Sequence, residues 1–123
     1  MRSVKGENTT PEMAVRRLVH HMGFRFRLHR KDLPGKPDLV FPRLNKVVFA
    51  HGCFWHGHHC ARGARVPMQN RGYWIQKVAR NKARDGRVLK SLRELGWNFL
   101  VIWECEMKSI PKIEKRLRRF LGT

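Results

Sequence analysis

A mixed β-sheet flanked by helices, α/β or α+β in class, is the fold that this sequence predicts, in a single domain spanning residues 1–123. Three observations predict it. Helical periodicity marks both ends of the chain and a long stretch after residue 70. Short apolar runs of strand length lie between these segments and again before the last helix. Their order (helix, three strands, long helix, strand, helix) is one that a sheet covered by helices satisfies. A chain of 123 residues, 41% of them hydrophobic, can bury a core without disulfides and is not a disordered basic tail. No internal repeat, low-complexity segment or linker interrupts it.

Thr9-Thr10-Pro11-Glu12 reads as a helix start. Thr9 and Glu12 have capping-box spacing, or Thr10 caps with Pro11 in the first turn. Ala14, Val15, Leu18, Val19 and Met22 form the stripe, and Gly23 ends it. Arg25-Phe26-Arg27-Leu28-His29 alternates polar with apolar, which predicts a half-buried strand. A Pro- and Gly-rich loop follows over Asp32 to Pro37. Asp38 to Phe41 and Lys46 to Ala50 then flank Pro42-Arg43-Leu44-Asn45, as two buried strands of a hairpin would. Trp74, Ile75, Val78 and Ala79 open a helical stretch that Val88, Leu92 and Leu95 continue or restart up to Gly96. Trp97 to Trp103 is a strongly apolar strand, Trp74, Trp97 and Trp103 fitting core stripes. Ile110, Ile113, Leu117, Phe120 and Leu121 give a basic terminal helix its apolar face.

Charge bounds the partners. Lys and Arg number 27 against 9 Asp and Glu, a formal +18 spread along the whole chain. Such an excess suits a polyanion better than a membrane surface, for which no helix with an exposed apolar face is apparent. Nothing resembling a signal peptide follows Met1-Arg2, and no apolar run is long enough to span a bilayer. A cytoplasmic, reducing setting is expected, where clustered cysteines more often hold metal than pair as disulfides.

His51-Gly52-Cys53-Phe54-Trp55-His56-Gly57-His58-His59-Cys60 packs four histidines and two cysteines into ten positions. Packing does not ask for six such donors together, whereas zinc does. Cys53, His58 and Cys60 can supply three ligands, and Cys105, just past a strand end, a fourth. Such a closed Cys3His site would be structural. Asp38 stands immediately before an apolar strand, where an isolated Asp is more often a turn residue than a catalyst. If its strand pairs through the Asn45 turn with the next, Asp38 comes beside Ala50 and His51. A carboxylate beside an imidazole suits Mg²⁺-assisted attack of water on phosphate. Glu12 has an ordinary role in the first turn of a helix. His20, His21 and His29 carry no functional expectation beyond surface or core-edge placement. Phe54 and Trp55, on a crowded donor loop, could stack on or wedge between bases.

The chain resembles the very-short-patch repair (Vsr) mismatch endonucleases. The matching stretches are Asn8 to Glu12, Leu33 to Val40, His51 to Cys60, Tyr73-Trp74 with Lys77, Asn81, Arg84 and Asp85, Leu95-Gly96-Trp97, and Val101 to Cys105. The resemblance implies a restriction-endonuclease-like fold with a structural zinc. It also implies an enzyme that nicks one strand of duplex DNA 5′ to the thymine of a T·G mismatch, the product of 5-methylcytosine deamination. Asp38 would be the Mg²⁺ ligand and His56 the general base or its relay. His51 would support the scissile phosphate and the attacking water, and Glu12 would order the water around the metal. Cys53, His58, Cys60 and Cys105 would hold zinc. Phe54 and Trp55 would wedge beside the mismatch, with Met1 approaching from the other groove. A monomer is expected, working in the bacterial cytoplasm on the nucleoid, with repair proteins as possible partners.

Two positions depart from the family pattern. Members usually have residues ahead of the Met1-Arg2 with which this chain begins, so an N-terminal DNA-clamping arm is expected to be short or absent. The residue before His51 is often Thr or a small polar or acidic residue; Ala50 offers only its backbone carbonyl as a ligand. A related nickase of different specificity, or a zinc-stabilised DNA-binding module without catalysis, stays open as an alternative.

Overall fold

The computed structural model describes residues 10–53 and 68–122. Their elements run α1 (Thr10–His21), β1 (Arg27–Leu28), β2 (Leu39–Phe41), β3 (Lys46–His51), α2 (Arg71–Glu94), β4 (Asn98–Trp103) and α3 (Ile110–Leu117). The strands form one sheet in chain order. β1 pairs antiparallel with β2 and β2 antiparallel with β3, and β4 lies parallel to β3 after the crossover through α2. This is the mixed, helix-covered sheet that the element order predicts.

Alternation along the strands divides the core into two layers. Leu39, Phe41, Val48 and Ile102 face α1 and α3, where they meet Val15, Val19, Ile113, Leu117 and Leu121. Val40, Val47 and Phe49 face the other way, onto Leu33 and Leu92, with Val88, Leu89, Trp97, Phe99 and Val101 packed around them. β2 and β3 are buried on both faces, which is why they read as unbroken apolar runs. Gly23 ends the α1 region with φ +89°, its amide on the His20 carbonyl at 3.0 Å. The β2–β3 connection is a 3₁₀ turn, Pro42–Leu44, closed by Asn45 in the left-handed region.

Three expectations need correction. The Arg25–His29 alternation yields only a two-residue strand, and both Arg27 and Leu28 are exposed. The strand stops there because His29 adopts a left-handed backbone (φ 46°), which no ladder continues. The second concerns α2, which is one continuous helix but not an amphipathic core helix throughout. Among the described residues its C-terminal part, at Val88, Leu89 and Leu92, packs on the sheet, while Tyr73 and Ile75 are exposed and Trp74 is half-buried. Last, the terminal helix is regular only to Leu117 and then widens into a π-helical turn, Arg118–Gly122, which still buries Leu121.

Candidate active site

The loop ahead of β2 fixes Asp38 in position. Leu33 is buried in the α2-side core, and Pro37 is buried as well. The Lys36 amide donates to the Leu33 carbonyl at 3.3 Å, closing a turn through Gly35, whose φ is +75°. That turn lies so close to α2 that a Cβ on Gly35 would come within 2.4 Å of Val88 Cγ1. With the loop docked in this way, Asp38 emerges at the end of β2. The register Leu39↔Val48 brings it beside the far end of β3, where its Oδ2 accepts the Ala50 N–H at 2.6 Å. The juxtaposition of Asp38 with Ala50, read from the Asn45 hairpin, is therefore present.

Glu12 comes to the same place from another layer. It lies in the first turn of α1, fully buried, and is ion-paired with Arg16 one turn later. His29, from the residue after β1, brings Nε2 to 2.7 Å from Glu12 Oε2 and 4.0 Å from Asp38 Oδ1. Its amide reaches the Asp38 carbonyl at 3.5 Å, a long contact just beyond the last β1–β2 pair. One ligand atom from each of Glu12, His29 and Asp38 lies within 4.8 Å of the others. Two hard carboxylate oxygens and an imidazole nitrogen form a donor set for a divalent cation.

The electrostatics support that description. Burial pushes the Asp38 carboxyl up to about 7, and the nearby Glu12 carboxylate adds to the rise. The Ala50 amide and the Arg16 guanidinium work in the opposite direction. Two carboxylates so near each other in low dielectric resist holding two negative charges at once. A proton relieves this conflict in the bare protein, and a divalent cation would relieve it more fully.

His51 closes β3, buried, with its ring 5.4 Å from Phe49 and 5.2 Å edge-on from Trp103, its partner across the parallel pair. Two residues on, Cys53 is buried, and its Sγ accepts the Cys105 N–H at 3.3 Å. Cys105 sits on a 3₁₀ turn, Glu104–Lys108, directly after β4. Glu106 fastens that turn by accepting the Trp103 amide at 2.9 Å and an ion pair from Arg116 of α3. Arg116 also donates to the Val101 carbonyl at 3.3 Å. The Cys105 backbone thus meets the Cys53 side chain across 52 residues of sequence, as the parallel β3–β4 pairing allows. Met1, Phe54, Trp55, His56, His58 and Cys60 lie outside the described residues.

Sequence reasoning missed His29. An isolated histidine at the end of an alternating run has nothing to distinguish it, and its left-handed backbone follows from no local motif. The usable signal was positional, because the Asp32–Pro37 loop returns the chain so that residues 29 and 38 face each other.

A family model for the DNA mismatch endonuclease Vsr matches residues 1–62. The type II nicking enzyme V.XorIIP of Xanthomonas oryzae pv. oryzae is 50% identical over 121 residues, 98% of this chain and 88% of that protein. The type II nicking enzyme V.NmeAIP of Neisseria meningitidis is 38% identical over 121 residues, 98% of this chain and 86% of its own. The DNA mismatch endonuclease Vsr of Escherichia coli is 38% identical over 113 residues, 92% of this chain and 72% of its own. Glu12, His29, Asp38, His51 and Cys53 all fall within the family match, and the longer alignments extend it across nearly the whole chain. The chain belongs to the Vsr family of DNA mismatch endonucleases.

Proposed function

We propose that this protein is a Mg²⁺-dependent endonuclease that nicks one strand of duplex DNA 5′ to the thymine of a T·G mismatch. The observation that carries the reading is the convergence of Glu12, His29 and Asp38 at the end of β2, beside Ala50. The relatives named as nicking enzymes and as a mismatch endonuclease support strand cleavage of DNA as the reaction class.

In this reading Asp38 and the Ala50 backbone would hold the Mg²⁺, which would supply positive charge against the phosphate and polarise water. Glu12, held by Arg16, orders water at the site. His56 takes the proton from the attacking water, and His51, wedged between Phe49 and Trp103, supports the scissile phosphate from the end of β3. A neutral imidazole is needed for the first of these roles, so nicking should fall in acid. Zinc on Cys53, His58, Cys60 and Cys105 would be structural, tying the loop after β3 to the turn after β4; the Cys105 amide on the Cys53 sulfur fits that donor set. Phe54 and Trp55 would enter the helix at the mismatch, where a wobble pair stacks less well and unstacking costs less. The exposed basic side chains of α2, among them Arg71, Arg80, Arg84, Arg87 and Lys90, suit phosphate contacts that position the duplex.

The test is a cleavage panel of matched, T·G, U·G and other mismatched duplexes in Mg²⁺, with the nick mapped on each strand. A nick 5′ to the mismatched thymine, faster than any cut in matched DNA, is expected. Equal cutting of matched duplexes, or preference for another lesion, would make this a nickase of different specificity. Binding without any cut in any duplex would favour a DNA-binding module.

A further inference from the structure

We infer that His29 is a direct nitrogen ligand of the divalent cation held by Asp38. Resting on the proposed metal-dependent reading of this site, the inference makes the centre a mixed oxygen–nitrogen one that prefers Mn²⁺ over Mg²⁺. Three features of the structure lead to this.

The first is where the imidazole nitrogen sits. His29 Nε2 is buried, 2.7 Å from Glu12 Oε2 and 4.0 Å from Asp38 Oδ1. Despite the short approach it makes no aligned hydrogen bond among the described residues. An imidazole that merely oriented Glu12 would point an N–H along that contact. A nitrogen brought close but misaligned is instead arranged to share a third atom with the carboxylates.

The second is the backbone that delivers it. His29 has φ 46°, a left-handed conformation that disfavours a side chain bearing a Cβ. Continuing β1 in extended form would avoid that cost, but it would also extend the strand that the left-handed turn ends. The conformation breaks the strand immediately before the residue whose ring joins the carboxylates.

The third is charge. Glu12 and Asp38 bring two negative charges, and Arg16 on Glu12 offsets one. A divalent ion leaves the cluster near +1, matched to one phosphodiester. A neutral imidazole adds a donor without adding charge, so that match is kept. It also changes which ion fits best. Mg²⁺ prefers oxygen and gives up water reluctantly, whereas imidazole raises affinity for Mn²⁺ and its later neighbours.

The experiment uses Mn²⁺ as the probe, on the zinc-replete protein with and without matched duplex DNA. Binding is measured by titration, and the bound ion by pulsed electron paramagnetic resonance, which detects directly coordinated nitrogen. The wild type should show imidazole ¹⁴N modulation on an ion that Asp38→Asn fails to bind. His29→Gln should keep the fold and an Mn²⁺ ion but lose that modulation, with affinity falling by roughly tenfold or more. The preference for Mn²⁺ over Mg²⁺ should shrink with it. His29→Asn serves as a second variant should Gln disturb the loop. If wild type and His29→Gln give the same nitrogen signal, or none, on an Asp38-dependent ion, His29 is no ligand and the inference falls while the site's metal dependence stands. If no Mn²⁺ binds in an Asp38-dependent way, the metal-dependent reading falls with it.

Discussion

Asp38 concentrates the chemistry at the residue scale. Its carboxylate is nearly enclosed, faces a second carboxylate and is raised to about 7, while an unfolded aspartate ionises near 3.9. The sign follows from that order. Below about pH 4 both states hold the proton and folding incurs no penalty from it. As pH rises toward 7 the unfolded chain releases the proton and the folded one resists, so stability is lost across that window. Asp38→Asn carries no such charge. Without divalent ions, its melting temperature should therefore exceed that of the wild type by a margin that grows from pH 5 to pH 8, and added Mn²⁺ should stabilise the wild type alone. A constant difference across that range would mean that the Asp38 carboxyl is not strained. The pairing of Asp38 with Ala50 was legible because one turn residue, Asn45, sets the register of both strands. Glu12 was ambiguous, since a first-turn glutamate has an ordinary reason to be there. His29 was invisible because what distinguishes it is a backbone angle rather than a residue pattern.

Two connections decide whether the site forms, and they differ in kind at the scale of elements. The Leu33–Pro37 loop is a close-packed splint between β1 and β2 that rests against Val88 of α2. Gly35→Ala adds a methyl group where φ is +75° and Val88 is already in contact. It should destabilise the fold by about 1–3 kcal/mol and slow nicking by displacing Asp38. Urea denaturation checks the first effect, and an unchanged midpoint would mean that the loop yields freely. The other connection joins Cys53 to the Cys105 turn, itself held by Glu106 and Arg116. Should zinc complete it, elemental analysis will find about one zinc per chain, and Cys105→Ala will lose that zinc and much of its stability. Wild-type melting in a zinc-free Cys105→Ala protein would contradict this. The hairpin and both end helices were readable from periodicity. The shortness of β1 was not, because a left-handed residue ended it. Nor was the exposed N-terminal half of α2, because apolar side chains at helical spacing read as core whether or not a sheet lies opposite.

Layering and charge set the behaviour of the whole molecule. Helices on both faces of a four-stranded sheet leave Asp38 and His51 together at one end of the strands. Around it the chain carries a formal +18, far more than folding requires. Several Lys and Arg contacts to phosphate release counterions, so log affinity for duplex DNA should fall linearly and steeply with log salt. A flat response between low and physiological salt, measured by fluorescence anisotropy, would mean that the basic surface serves another partner. Should the protein read a mismatch through base contacts, that preference should persist at higher salt, because phosphate contacts carry no sequence information.

The claim that the carboxylate cluster performs the cut can be tested by following binding and nicking of one T·G duplex side by side, for the wild type and Asp38→Ala, in Mg²⁺ and in chelator. Asp38→Ala should bind the duplex about as well as the wild type, or slightly better for losing a negative charge near phosphate. The variant should give no nick in a single turnover, and the wild type none in chelator. An Asp38→Ala protein that folds, binds and still nicks at the wild-type rate would contradict the claim.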